Sequence, residues 1–431
     1  MDRTPRTEKR CDLENIKVDE YKRLSIEIQN VFITFVISQQ YLKNKMVQNT
    51  NAVKRLVSLD VLRGLTVMFM IFVNNGAGEE IFSTLQHSKW NGMTPCDLVF
   101  PFFLFIMGIS TYLSLRKGGF RWTHQQARKT VKRTLLLFLI GLLINWFDMA
   151  MDGRPLDFAH LRIMGVMQRI AICYGATVAA VLTIHHLTRS FRGLWILVAL
   201  LLTGYSILLL AGGGYDYDSS TNILSRVDHV LLGDAHLYHK SPVDPEGLLS
   251  SFSAMTNTMI GFLVASWALR KERPELGHPH LVTLSRLLVC GAVMAFAGWL
   301  LQFGLPLNKR VWSPSYVLLT CGIAASLQGL LVGWLDIHRT AQQTADSNSA
   351  GQPWFLRLTL WFGMNPLFLY VASEAIGIFF GAVGVKNGAY DMLHAVILNG
   401  YWASVAYAAL FVALHALMGW ALWKKHVFIK L

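Results

Sequence analysis

An all-α membrane protein of about ten transmembrane helices, with both termini on the cytoplasmic side, is the fold this sequence predicts. Of the 431 residues 53% are hydrophobic and only 15% charged, whereas a soluble domain carries nearer a quarter charged residues. The apolar residues fall into blocks of about 17 to 25, the length that crosses a hydrocarbon core of about 30 Å at about 1.5 Å per residue. The basic residues behind the formal charge of +13 cluster in short connectors on alternate sides of these blocks. That is the positive-inside pattern of a chain embedded in a lipid bilayer, and it argues against a nucleic-acid partner.

Residues 1–53 differ from the rest. They are charged and mixed, and their apolar stretch from Val31 to Ser38 is too short to span. A basic n-region, apolar h-region and small-residue cleavage site are missing, so no secretory signal is expected. The segment reads as a cytoplasmic extension of unknown role, or as the product of an upstream start with initiation near Met46. Residues 54–431 form the transmembrane domain.

Within it the spans are expected at 57–74, 97–115, 133–148, 163–184, 193–211, 248–269, 281–303, 315–336, 357–381 and 402–423. After the second span come Arg116, Lys117, Arg121, Arg128, Lys129, Lys132 and Arg133 with no acid among them, which makes that connector cytoplasmic. Alternation then puts 75–96, 149–162, 212–247 and the segments near 304–314 and 382–401 outside. The 212–247 loop fits, with Asp216, Asp218, Asp228, Asp234, Asp244 and Glu246 set against Arg226 and Lys240. No internal repeat is visible and Asn365-Pro366 is a lone break, which tells against a transporter built from inverted repeats. Cys11, Cys96, Cys173, Cys290 and Cys321 form no CxxC pair. They read as small core residues, with neither a disulfide framework nor a metal site.

Polar groups inside spans are the most informative, since each costs about 2.5 to 3.5 kcal/mol at the bilayer centre and persists only with a partner or a wet cavity. Asp60 and Arg63 lie three apart near the cytoplasmic end of the first span, as a self-neutralising pair or as an arginine that meets a phosphate from the cytoplasm. Arg169, within Gln168-Arg169 of the fourth span, offers a planar fork for a carboxylate or phosphate. In the ninth span Asn365-Pro366 frees a backbone carbonyl that a neighbour, water or ligand must satisfy, and Glu374 follows two turns on. A structural kink and a binding site are equally open there.

The densest constellation is the outer loop from Asn74-Asn75-Gly76-Ala77-Gly78 through His87-Ser88-Lys89-Trp90-Asn91-Gly92-Met93-Thr94-Pro95-Cys96-Asp97. Its end is a helix start, with Thr94 as N-cap, Pro95 at the first helical position and Asp97 at the third, in a capping-box-like arrangement. That cap helps to fix the loop holding His87. Histidine accepts and returns a proton near neutral pH and can accept an acyl group. A lone loop histidine is more often simply solvated, so the residues alone leave its role open.

The run Leu59-Asp60-Val61-Leu62-Arg63-Gly64, the Asn74 turn, His87 to Thr94, and Asp97 to Gly108 resembles the heparan-α-glucosaminide N-acetyltransferase family of transmembrane acyltransferases. Matching segments continue through Gly165 to Arg169, Leu232 to Tyr238, Asp244 to Gly247, Leu307-Asn308-Lys309 with Trp312 to Tyr316, Gly363 to Pro366 and Lys424 to Lys430. The turn-to-histidine stretch is about two residues longer here than in the family.

The resemblance implies an enzyme that moves an acetyl group from cytoplasmic acetyl-CoA, a cosubstrate, to the amine of a glucosamine-type acceptor on the lumenal or periplasmic side. His87 stands at the family's catalytic histidine and Asn74 at the asparagine before its Gly-rich turn. Asn74 and Asn91 are then candidate oxyanion donors. Asp60, Arg63, Arg169 and Asn365 are candidates for the cofactor, and Trp90, His236, Asp244, Glu246 and Glu374 for the acceptor. O-acetylation of envelope glycans is the alternative reading, and a homodimer is compatible with it. The lysosomal members carry a further N-terminal lumenal region and span, so the resemblance points to a bacterial member of the inner membrane.

Overall fold

The computed structural model describes residues 56–238, 241–270, 279–337 and 353–429, and the readings made for residues 1–53 lie outside them. All regular structure among the described residues is helical. Thirteen helices follow one another: α1 (Val57–Asn74), α2 (Val99–Lys117), α3 (His124–Met151), α4 (Val166–Thr188), α5 (Arg192–Ala211), α6 (Ile223–Leu232), α7 (Leu248–Ala268), α8 (Pro279–Leu301), α9 (Pro314–Leu331), α10 (Trp354–Met364), α11 (Pro366–Ala382), α12 (Val385–Ile397) and α13 (Gly400–Lys424). Among the described residues nine helical stretches are long and apolar enough to cross a membrane, and α10 with α11 makes a tenth only as a broken pair bent by 83°. The chain is thus a multi-pass membrane protein, and the expected spans are found within a few residues at most ends.

Three differences have physical causes. The ninth span is not one rod, because Pro366 has no N–H to continue α10 and Asn365 adopts φ −127°, ψ 51°. The basic connector after α2 is half helical, since Thr123 accepts a hydrogen bond from Gln126 N and starts α3 about nine residues before the expected span. The segment 382–401, expected as a loop, contains α12, whose apolar residues recur at helical spacing without the length to cross a membrane.

The most buried spans are α2 and α7, and they touch through glycines. A methyl group on Gly108 would strike the Thr258 carbonyl, and one on Gly261 the Phe105 carbonyl. Without a hydrophobic drive between helices in lipid, such backbone approach is how membrane helices gain packing energy. The same device joins α1 to α10, where Gly64 and Gly363 lie against the carbonyls of Thr359 and Asp60. These contacts anchor the loops that follow α1 and precede α2.

Candidate active site

The helices leave one end of the bundle rich in loops: 75–94, 152–165, 212–247 and 302–313. Here Thr94 caps the 3-10 turn Pro95–Leu98 that leads into α2, and the capping box expected from the sequence is formed. The cap residue Asp97 does more than cap. Its buried carboxylate accepts from Thr94 N at 3.0 Å and Ser88 N at 3.1 Å through Oδ2, and its Oδ1 lies 2.8 Å from His87 Nδ1. Thr94 Oγ1 donates to Gln86 O at 2.7 Å, closing the loop on both sides of the histidine. The His87 side chain keeps 47% of its surface exposed while that of Asp97 has none.

A third charged group arrives from far along the chain. Lys309 Nζ stands 2.9 Å from His87 Nδ1, 3.3 Å from Nε2 and 3.3 Å from Asp97 Oδ1. It is placed by the turn before α9, which is stitched to the histidine loop: Gly92 N donates to Leu307 O at 2.7 Å and Asn308 Nδ2 to Asn91 Oδ1 at 3.2 Å. Asn308 is itself buried, its Oδ1 accepting from Arg310 N and Val311 N. Cys96 Sγ, also buried, lies 3.1 Å from His87 Nδ1. Sequence reasoning took Asp97 only as a cap and gave Lys309 no role. The one signal for the lysine was its place in the Leu307-Asn308-Lys309 motif.

Other expected residues surround this centre. Trp90 donates from Nε1 to Tyr215 O at 2.8 Å, sits edge-on to Tyr217 and packs on the cluster of Tyr205, Leu209, Leu224, Val243 and Val311. It pins the histidine loop to the 212–247 loop. Asp244 and Glu246 clasp Arg162, whose Nη2 reaches each carboxylate at 2.8 Å and whose guanidinium lies 4.5 Å from the Tyr238 ring centre. Burial alone would push the Glu246 carboxyl up, but Arg162, Arg169 and, more weakly, Lys309 hold it below its ordinary range. Glu246 lies within electrostatic range of Glu374, and the Asn74 amide hydrogen-bonds the Glu374 carboxyl. Asn74, Asp244, Glu246 and Glu374 therefore share the loop-bearing end with His87.

His236 and Arg169 both have partners within the protein at this end. His236 Nδ1 bonds Leu161 O at 2.7 Å and its own carbonyl accepts from Ile163 N, which ties the 152–165 loop to the 212–247 loop. Arg169 is buried beneath this same end, over the Trp312 ring at 4.8 Å, donating to Gly247 O at 3.0 Å and to Ser250 Oγ. Asp228 closes that underlayer by accepting from Leu248 N and Leu249 N at the start of α7, and burial raises its carboxyl to about 6.

The remaining cofactor candidates meet at the opposite end, and Arg169 is not with them. Arg63 pairs with Asp60 at 3.0 Å, donates to Ser110 Oγ at 2.7 Å and approaches the Gly363 carbonyl at 3.4 Å. Two residues on, Asn365 binds the C-terminal tail, donating to Val427 O at 3.0 Å and accepting from Ile429 N at 2.8 Å. Among the described residues no group of three or more His, Cys, Asp or Glu side chains is arranged to hold a metal ion.

Residues 55–232 match the family described as Heparan-alpha-glucosaminide N-acetyltransferase, catalytic. Two curated proteins named Heparan-alpha-glucosaminide N-acetyltransferase are similar to the chain. The one from Homo sapiens is 27% identical over 423 residues, covering 82% of this chain and 58% of that protein. The one from Mus musculus is 26% identical over 428 residues, covering 83% of this chain and 60% of that protein. The chain thus spans a little under two thirds of the length of these relatives, and the family resemblance drawn from its motifs is borne out. His87 and Asp97 lie in the matched region, whereas Lys309 lies beyond it.

Proposed function

We propose, taking that similarity as the premise, that this chain is an acetyl-CoA-dependent acetyltransferase whose acceptor is the amine of a glucosamine-type sugar. The observation that carries this reading is an exposed imidazole held by a buried carboxylate and flanked by a lysine, on the loop-bearing end of a membrane bundle. With a proton on Nδ1 donated to Asp97, Nε2 keeps its lone pair. It can then take a proton from the acceptor amine as that amine attacks the thioester, or itself accept the acetyl group before passing it on. Asp97 fixes the ring and stabilises the imidazolium that forms, as the carboxylate does in a Ser-His-Asp triad. The Lys309 ammonium stands where it can meet negative charge developing on the thioester oxygen. Asn91 has its oxygen engaged by Asn308, which leaves its amide N–H group as a second donor.

The acetyl donor reaches this centre from the opposite, cytoplasmic end. The connector Arg116 to Arg133 supplies the positive field for its phosphates, and Arg63 with Ser110 forms a polar step at the same end. The amino sugar comes from the loop-bearing, lumenal or periplasmic end, where Asp244, Glu246 and Glu374 offer carboxylates to hydroxyl and ammonium groups.

Replacing His87 by Ala tests the reading. A loop side chain with half its surface exposed contributes little to the packing of the spans, so the variant should insert and bind acetyl-CoA as the parent does. Acetyl transfer to glucosamine should fall about 100- to 10,000-fold. A folded His87→Ala protein that retains more than about a tenth of the rate excludes His87 as the catalytic residue.

A further inference from the structure

We propose that Lys309 is an internal acetyl acceptor, kept from reacting by its ion pair with Asp97. The inference rests on the acetyltransferase reading but concerns a different reaction, acylation of the protein itself. Its basis is distance. A base or acyl carrier at His87 handles the acetyl group at a ring nitrogen, and Lys309 Nζ lies 2.9 Å from Nδ1 and 3.3 Å from Nε2. An amine so close to an acyl-transfer centre needs no diffusion to meet it, and effective molarities for well-placed groups reach about 10⁵ M and more. The lysine cannot swing away freely, because its side chain is only 13% exposed and its turn is bonded to the histidine loop.

What restrains the reaction is charge. An ammonium has no lone pair, and Lys309 Nζ is ion-paired with Asp97 Oδ1 at 3.3 Å. Asp97 also accepts from two backbone amides and faces His87, so its charge is held where the lysine needs it. The other ionisable group against the ring is Cys96, and Glu246 adds a weaker negative field on Lys309. When the lysine does lose a proton to solvent, its amine attacks the thioester carbonyl. The carbon–sulfur bond breaks, a carbon–nitrogen bond to Nζ forms, and the second amine proton passes through His87 to the departing CoA thiolate. The amide that results carries no charge, so it removes Asp97's partner and leaves the site less active. Acceptor sugar competes for the same acetyl group and protects the enzyme.

Peptide mass spectrometry of the full-length protein after incubation with acetyl-CoA alone tests this, with the exposed Lys89 of the same loop as an internal measure of non-specific acetylation. Lys309 should gain an acetyl group at least about tenfold faster than Lys89, a modest share of what a positioned base supplies. Glucosamine should slow the modification, and His87→Ala should bring it down to the Lys89 rate. Activity should decline in step with Lys309 acetylation and not with Lys89 acetylation. Turnover of glucosamine by the parent protein with Lys309 acetylated no faster than Lys89 overturns the inference and leaves the acetyltransferase reading standing. Absence of both turnover and acetylation overturns the two together.

Discussion

The two ends of the bundle solve the problem of charge in a membrane in opposite ways. At the loop-bearing end local pairs such as His87 with Asp97 are joined by groups from far along the chain: His87 meets Lys309 from 222 residues away, and Arg162 meets Asp244 and Glu246 from 82 and 84. At the other end Arg63 pairs with Asp60 three residues back, and its remaining donors go to Ser110 and a backbone carbonyl. The charge pair itself is local and forms as soon as its helix does, while the donations to Ser110 and Gly363 tie α1 to α2 and α10. Long-range pairs exist only when several loops have docked, so they fix a geometry that chemistry can use.

The sharpest way to break this comparison is Asp97→Asn. If the loop-bearing end is preorganised for proton transfer, the amide should leave the loop folded but cost about 1,000- to 10,000-fold in acetyl transfer, measured as kcat on glucosamine. A loss below about tenfold would mean that Asp97 serves the helix cap alone.

Next in size is Arg162→Met. It strips the cation from Asp244 and Glu246, both largely buried, and breaking such a pair from one side costs about 3 to 5 kcal/mol. Thermal unfolding in detergent should register that loss. The double change Arg162→Met with Glu246→Gln should recover part of it. Arg63→Ala, by contrast, should cost less, about 1 to 3 kcal/mol, since it removes one carboxylate pair and the donations to Ser110 and the Gly363 carbonyl. Equal losses at the two positions would erase the distinction between the ends.

Asp228 sharpens the picture through pH. Its folded value of about 6 lies above the ordinary carboxylate value of 3.8 because the group is buried. The folded state therefore holds the proton more tightly. Its contribution is fully present below about pH 4 and is lost as pH rises to about 6, by up to about 3 kcal/mol. Asp228→Asn keeps the oxygen that accepts from Leu248 N and Leu249 N, and should remove this slope between pH 4 and 6 when stability is compared across that window. The smallest effect is expected for Asn365→Ala, whose freed partners Val427 O and Ile429 N lie in an exposed segment, so that stability should fall by about 1 kcal/mol in the same assay.

How much of this could be read in the sequence follows from range. The spans were legible because hydropathy is a local property, and the first helix was expected and found at residues 57–74. The Asn365-Pro366 break was visible as a chemical event but not as a bend of 83°, since the angle depends on what α10 and α11 pack against. The short helix α12 was missed because a pattern too short to span looks like a loop when spans are the question. At the site, His87 and the Thr94 cap lie within ten residues of one another, and Asp97 was visible as part of the cap. That the same carboxylate faces the histidine was not, because a capping pattern accounts for the acid completely. Lys309 comes from another loop altogether, and no spacing rule joins position 87 to position 309. Arg169 was legible as a guanidinium just inside the outer boundary of the fourth span, but its partners at Gly247 and Ser250 were not, because they come from a distant helix start.

The clasp between Asn365 and the tail has a consequence for biosynthesis. Both halves of the Asn365 amide are satisfied only by Val427 and Ile429, which are 62 and 64 residues downstream. Helices α11, α12 and α13 are all made between the amide and these partners. Until then the broken helix sits in the translocon or bilayer with an amide that lacks its final partners, a condition apolar surroundings penalise. A segment made after α13 therefore completes a joint laid down three helices earlier, so the break between α10 and α11 is closed late in the order of synthesis.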